Sequence, residues 1–409
     1  MTTTAPAPTP TDTGGTMRFV LVLGALIALG PLTIDMYLPA FPSIAEEFAA
    51  SGSQVQLTLT GMLIGLAVGQ LVIGPLSDAF GRRRPLMVGL VAHALVSLVC
   101  SFAPTIEVLA GLRILQGFSG AAVSVTAMAM VRDRYAGVAM ANVMARLILV
   151  IGMAPIIAPS LGGVVLLWTD WRSIFHVLAL AALAMVALAF LGLDESLPPE
   201  RRRPPRISAS LSGYAAVLRD PRFLALGLIG GSMMGTIFAY VSGASFVLQD
   251  GFGISEQLFG VLFALNAASF VVGSQVNPLL LRRFTLLQVL TTGILVTLAA
   301  ATLLVVVSAL DVGGLVAVMV PLAVVMFAAG LSMPNTPALA LEHHAGEAGA
   351  AAAVLGCLQF GIGALVAPLV GAFGAASATP MGAVMLGLSG LAAALALLVV
   401  RPRVAAPVG

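Results

Sequence analysis

The stretch Gly74-Pro-Leu-Ser-Asp-Ala-Phe-Gly-Arg-Arg-Arg-Pro85 lies between two long apolar runs and crowds three consecutive arginines, an aspartate and several helix breakers into one short connector. Gly81 and Pro85 let a chain reverse tightly where a helix leaves a bilayer. Arg82, Arg83 and Arg84 hold such a loop on the cytoplasmic side. Asp78 is left at the membrane edge, where it can pair with an arginine or lie against the positive end of a neighbouring helix. A topogenic loop needs only the arginines. The spacing Gly74-x-Leu76-x-Asp78-x-x-Gly81-Arg82-Arg83 goes beyond what a topogenic loop requires.

Outward from that loop the chain is almost uniformly apolar. Its 409 residues are 59% hydrophobic and 9% charged, with a mean hydropathy of +1.07. That composition belongs to an integral membrane protein. Unbroken apolar runs long enough for helices exclude a barrel. Runs at 19–40, 56–76, 85–103, 107–131, 141–166, 173–193, 223–248, 257–280, 286–308, 313–338, 349–372 and 380–400 predict an all-α polytopic protein of twelve transmembrane helices. With the amino terminus in the cytoplasm, Arg18, Arg82–Arg84, Arg132, Arg134, Arg201–Arg203, Arg206, Arg219, Arg222, Arg282, Arg283, Arg401 and Arg403 all fall inside. Only Arg172 of the loop arginines falls outside, so the charge bias puts both termini in the cytoplasm. All 19 basic residues are arginines and the net charge is +2, which leaves no basic face for nucleic acid. Cys100 and Cys357 fall inside spans and read as small buried hydrophobes, with no metal-ligand spacing.

The arginine- and proline-rich connection divides the spans six and six. The expected organisation is a disordered cytoplasmic tail at 1–17, an N-terminal six-helix half at 18–193, a linker at 194–222, a C-terminal half at 223–400 and a tail at 401–409. A faint echo of the opening stretch, Gly273, Asn277 and Arg282-Arg283, stands where a duplicated unit would place it.

Within the first span, Thr33-Ile-Asp-Met-Tyr-Leu-Pro39 sets an aspartate among apolar residues, and a carboxylate facing lipid would cost several kcal/mol. Asp35 should therefore face a cavity or a partner. Arg113 in the fourth span lies at a similar depth, roughly 8 Å from the external end. A pair of Asp35 and Arg113 across a central cavity is the leading expectation, either proton-coupling or a permanent ion pair joining two helices. Burial opposes ionisation of the acid and the arginine favours it, a balance that can bring proton exchange within reach of a gradient. The fifth span carries Gly152-Met-Ala-Pro155-Ile-Ile-Ala-Pro159-Ser-Leu-Gly162-Gly163, which makes a hinge or a seal against another helix. The Arg132-Asp-Arg-Tyr135 loop reads as topogenic rather than as a gate contact, and Pro334-Asn335 should break the tenth helix near its inner end. Tyr37, Gln116, Tyr240, Ser242, Phe246, Phe263, Asn266, Asn335 and Gln359 are candidates for a substrate cavity, although interhelical bonding is the commoner fate of polar residues in spans.

The connector closely resembles the loop signature of the major facilitator superfamily, and the pattern around Pro159 is similar to the antiporter signature of its drug exporters. Together with Asp35-Met-Tyr-Leu-Pro39, Arg113-x-x-Gln116-Gly117, Arg132-Asp-Arg-Tyr135, Trp171-Arg-Ser-Ile-Phe175 and Ala239-Tyr-Val-Ser242, the chain resembles the Bcr/CflA family of bicyclomycin and chloramphenicol resistance transporters over nearly all of residues 18–400. The resemblance implies proton-driven export of drug-like molecules from a bacterial inner membrane. It needs no cofactor beyond the proton gradient, and a monomer is expected. It places Asp35 and Arg113 at the proton and substrate site, and Gly74, Asp78, Gly81, Arg82 and Arg83 at the cytoplasmic gate. Pro155, Pro159, Gly162 and Gly163 fall at the antiporter hinge. A proton-coupled importer of a nutrient is the alternative within transporters, and a non-catalytic receptor or scaffold the alternative outside them. No set of residues for an intramembrane enzyme is present: Glu342-His343-His344 has the wrong spacing for a zinc protease.

Overall fold

The computed structural model describes residues 13–202, 207–342, 344 and 347–400. Twelve helices among them are long and apolar enough to cross a membrane. They are α1 (Thr13–Asp35), α2 (Gly52–Phe80), α3 (Arg83–Cys100), α4 (Ile106–Arg134), α5 (Gly137–Leu166) and α6 (Arg172–Gly192), then α7 (Pro221–Phe246), α8 (Glu256–Leu280), α9 (Leu286–Ala309), α10 (Gly314–Ser332), α11 (Ala348–Ala372) and α12 (Ala378–Leu395). The protein is a multi-pass, all-helical membrane protein.

Polar residues at the span ends supply the partners that a helix's first N–H groups lack. Ser51 with Gln54 and Thr285 with Gln288 form reciprocal capping boxes at α2 and α9, while Thr105, Asp220 and Ser255 cap α4, α7 and α8. Between the caps the outward faces are apolar: Val88, Leu95 and Phe102 on and beside α3, and Leu180 and Leu191 on α6, are exposed as lipid-facing residues must be.

The packing repeats. In the first half α2 and α3 pack on α4, α3 on α6, and α1 on α5 and α6; in the second, α8 and α9 pack on α10, α9 on α12, and α12 on α7. The seams between halves, α2 with α11 and α5 with α8, exchange into each other when six is added to every helix number, as a duplicated unit requires. Equivalent crossings use glycine for the same reason. A Cβ on Gly117 of α4 would run into the Met62 carbonyl of α2, and one on Gly273 of α8 into the Phe327 carbonyl of α10. Gly74, the counterpart of Gly273 in the faint echo, has no neighbour where a Cβ would stand, so that echo is one of sequence and not of packing.

Three boundaries differ from expectation. The first helix begins at Thr13, so residues 13–17 are helical, and residues 1–12 and 401–409 lie outside the described residues. The connection expected as a plain linker contains a helix, Ile207–Leu218, fastened to the bundle where the Tyr214 hydroxyl donates to the Leu71 carbonyl at 2.7 Å. Arg203, Arg206 and His343 are also outside the described residues. The first span ends its regular helix at Asp35, makes a tight turn at Leu38–Ala40 around Pro39, and resumes at Phe41–Glu47. The tenth span breaks at Met333-Pro334 and resumes at Asn335–Leu341, where the proline was expected to break it.

Candidate functional site

Several of the candidate gate residues meet at the arginine-rich pole. Arg82 is buried and reaches two helices at once: its Nη1 lies 2.5 Å from Asp78 Oδ1 and 2.7 Å from Ser77 Oγ, and its Nε lies 2.8 Å from Asp133 Oδ2 on α4. Asp133, of the Arg132-Asp-Arg-Tyr135 stretch at the end of α4, is thus joined to the candidate gate residues through Arg82. Its neighbour Arg83 bonds the Phe190 carbonyl at 2.8 Å and lies over the Phe190 ring, tying α3 to α6. Asp78 is half-exposed and, among the described residues, its ion pair is with Arg82 rather than with the start of α11. Gly74 faces open space, and Gly81 has φ +85°, a left-handed conformation that suits glycine.

Sequence reading missed a third partner, Glu195, just beyond α6. Its carboxylate accepts from the backbone N–H groups of Arg82 (2.8 Å), Arg83 (3.2 Å) and Leu197 (3.0 Å), and so caps α3. Partial burial pushes the Glu195 carboxyl upward, but those N–H groups and the Arg202 charge outweigh it and hold the group below the usual carboxylate range. A depressed value stabilises the fold above the ordinary glutamate value near about 4.3 and ceases to do so as pH falls through the folded value. Glu195→Gln is therefore expected to lower the melting temperature at neutral pH, with the gap from wild type closing towards pH ~3, measured by thermal unfolding in detergent across pH.

Further into the bundle, Arg113 of α4 is fully buried under aromatic rings, with its guanidinium carbon 4.8 Å from the Tyr37 centroid and 5.8 Å from that of Phe175. Nη1 donates to Gln116 Oε1 at 2.6 Å and to the Thr33 carbonyl at 3.2 Å, while Nε and Nη2 are buried without a partner. The expected ion pair with Asp35 is not formed in this structure. The reason is helical geometry. Thr33 and Tyr37 stand four apart and both face Arg113, whereas Asp35 lies about 200° around from Thr33. Asp35 is buried, 5% exposed, and has no ion pair among the described residues.

Tyr240 continues a cluster from the second half. Its ring stacks on Phe263 at 5.0 Å, and its hydroxyl accepts from Asn266 Nδ2 at 3.0 Å, leaving the buried Asn266 Oδ1 unpartnered. Other cavity candidates have structural work. Asn335 donates to the Leu331 carbonyl and accepts from Asn277, binding α8 to the broken tenth span. The Ser242 carbonyl accepts from Gln56 at 3.0 Å, and Phe246 packs on Phe41 at 5.8 Å, so both belong to the seam. Gln359 lies beside Gly230 on α7, and Gln116 is held within the first half.

The pole opposite the arginines is closed. Ser245 Oγ donates to the Leu38 carbonyl at 2.7 Å, Gln249 Nε2 to the Pro39 carbonyl at 3.1 Å, and Gln56 receives the Gly371 N–H at 2.8 Å. The proline- and glycine-rich part of α5 completes the closure. A Cβ on Gly162 would overlap the Met36 carbonyl, and one on Gly163 would press on the Glu256 carbonyl at 3.1 Å. Gly260 of α8 fits against Pro159 and Ser160 in the same way, and Pro155 lies one turn before Pro159 inside the continuous helix α5. This stretch packs closely against both the first span and α8.

The family model described as "Major Facilitator Superfamily" matches residues 23–368. The chain is 39% identical to "Uncharacterized MFS-type transporter YdgK" of Bacillus subtilis, covering 90% of this chain and 92% of that protein. It is 31% identical to "Bicyclomycin resistance protein homolog" of Haemophilus influenzae (90% and 92% covered) and 31% to "Chloramphenicol resistance protein" of Pseudomonas aeruginosa (83% and 80%). Its fold matches the crystal structure of a D-xylose-proton symporter with a TM-score of 0.72 at 15% identity, covering 92% and 97% of the two chains. The chain belongs to the major facilitator superfamily and, within it, to the Bcr/CflA drug-resistance type. It is a transporter rather than an enzyme.

Proposed function

We propose that this chain is a proton-coupled exporter of drug-like molecules in a bacterial inner membrane, working by alternating access of its two halves, with no cofactor beyond the proton gradient and as a monomer. The arginine bias puts both termini and the Arg82 gate in the cytoplasm. The sealed pole is then the external one. The observation that carries the reading is Asp35, a buried carboxyl at the seam with no cation paired to it among the described residues. A carboxyl kept from water and from a counter-charge holds its place by carrying a proton. Rocking exposes it to the other side, where the proton can leave.

Substrate recognition follows from the groups left open. Arg113 Nε and Nη2 suit a hydrogen-bond acceptor, Asn266 Oδ1 a donor, and the Tyr37 and Phe263 rings an apolar body. Relatives named for bicyclomycin and chloramphenicol resistance support a neutral, polar molecule of that kind. The test is drug susceptibility of a bacterial host stripped of its main exporters, with and without this chain, across amphenicols, bicyclomycin, cationic dyes and fluoroquinolones. At least fourfold protection against a neutral polar drug, abolished by a protonophore, is the expected result (order of magnitude). Protection that survives collapse of the proton gradient would overturn it.

A further inference from the structure

Opposite Arg113 the first half buries a histidine that the reading so far has not used. His93 of α3 is 0% exposed, with a hydroxyl on each side of its ring: Thr33 Oγ1 of α1 lies 3.0 Å from Nε2, and Ser119 Oγ of α4 lies 3.2 Å from Nδ1. Each hydroxyl has a single proton, and each spends it on its own helix. Thr33 Oγ1 donates to the Leu29 carbonyl at 2.7 Å, and Ser119 Oγ to the Gln116 carbonyl at 2.7 Å. Both therefore offer the ring lone pairs, and only a ring with two N–H groups satisfies both. With both protons so placed the ring would be the imidazolium.

A neutral ring fits the same heavy atoms if one hydroxyl turns from its carbonyl to the vacated nitrogen. Neither helix is broken by the turn, because these hydroxyl bonds only supplement the backbone ladder. The site can thus load and unload a proton by rotating a hydroxyl.

The same network ends on Arg113. Its Nη1 bonds the Thr33 carbonyl and Gln116 Oε1; Gln116 Nε2 donates to Ser97 Oγ at 2.7 Å, and Ser97 Oγ to the His93 carbonyl at 2.7 Å. Arg113 is the charged end of that network. The acids of the surrounding helices lie elsewhere: Asp35 on the other side of α1, Asp78 at the gate end of α2, and Glu107 and Asp133 at the two ends of α4, each on the order of 20 Å along the helix from Ser119. On α3 itself the titratable neighbour is Cys100, and α6 brings only Arg172 and His176 at its far end.

We propose that His93 is a second proton site of the transport cycle, loaded when an anion or a strong acceptor neutralises Arg113. Two cations sharing one dry network repel strongly, so an unpaired Arg113 keeps His93 neutral and a paired one lets it charge. The partner is the Asp35 carboxylate in another state or an acceptor group on the substrate. By reciprocity, a proton on His93 disfavours an unpaired Arg113 by the same factor. The proton is taken from the aqueous phase and returned to it, and no other bond changes. The inference rests on the proton-coupled reading for its place in the cycle, but not for the chemistry of the site.

The experiment is solid-state NMR of the full chain in lipid with 15N-labelled histidine, of which the sequence has four. The ring nitrogens distinguish the imidazolium from either neutral tautomer. His93 is assigned by the signal lost in His93→Gln or, should that variant not fold, by the signal that responds to Arg113→Gln. The expected result is a neutral ring in wild type down to pH ~5.5, where Arg113 is unpaired, and in Arg113→Gln an imidazolium at pH ~5.5 that gives way to a neutral ring by pH ~8. A single neutral tautomer throughout that range, in wild type and Arg113→Gln alike, overturns the proposal. Proton release on drug addition is followed in the same preparation. If drug moves protons while His93 stays neutral, this inference falls alone; if His93 titrates while drug moves none, the antiport reading falls and the proton site stands.

Discussion

Asp35→Asn is expected to abolish uphill export while leaving the protein folded and able to exchange substrate. Asparagine keeps the shape and one acceptor oxygen but cannot take or release a proton, so a drug gradient can no longer be drawn from a proton gradient. Nothing in the packing should fail, because Arg113 rests on the Thr33 carbonyl and Gln116 rather than on Asp35. In reconstituted vesicles, proton-driven accumulation should fall about tenfold or more, to the level of empty lipid, while exchange of labelled for unlabelled drug stays within about threefold of wild type. A variant that still concentrates drug with the wild-type pH dependence would move the coupling site elsewhere. If instead Asp35 and Arg113 formed a permanent structural pair, the variant would lose stability and exchange together.

Gly162→Leu is expected to trap the carrier with its external pole open. A Cβ alone would overlap the Met36 carbonyl, and that carbonyl sits in the turn of the first span where the backbone has little room to yield. Overpacking of this kind costs about 1–3 kcal/mol, and each ~1.4 kcal/mol shifts the closed-to-open ratio tenfold. Transport should drop towards background with normal insertion. The check uses Gln249→Cys in a Cys100→Ser, Cys357→Ser background, because Gln249 bonds the Pro39 carbonyl across the seal. Its labelling by an impermeant maleimide from outside should rise at least about tenfold when Gly162→Leu is added. Unchanged labelling would show that α5 is not part of the external seal.

The spans, the broken tenth helix and the gate loop were legible because hydropathy, proline chemistry and charge placement act locally. Which way a polar side chain points within a span was not. Asp35 and Arg113 stand at matching depth, yet the rotation that brings Thr33 and Tyr37 onto Arg113 turns Asp35 away from it, and depth alone carries no rotation. Asp133 and Glu195 were hidden for a related reason. Asp133 at the end of α4 and Glu195 beyond α6 are ordinary acids in the sequence until folding brings Arg82 and the start of α3 to them. The helix Ile207–Leu218 lacks a long apolar run and owes its place to contacts such as Tyr214 with Leu71. His93 did carry a signal, an ionisable residue inside an apolar run, which is reason enough to suspect function.

The account stands most directly on the exchange of drug for protons. The measurement is made in everted membrane vesicles energised to acidify their interior, with a fluorescent pH probe, in a host lacking its other exporters. Adding a neutral polar drug that the chain protects against should release protons from the vesicles containing wild type, and not from those containing Asp35→Asn. Drug uptake into wild-type vesicles with no proton release, or equal release from both, would contradict it.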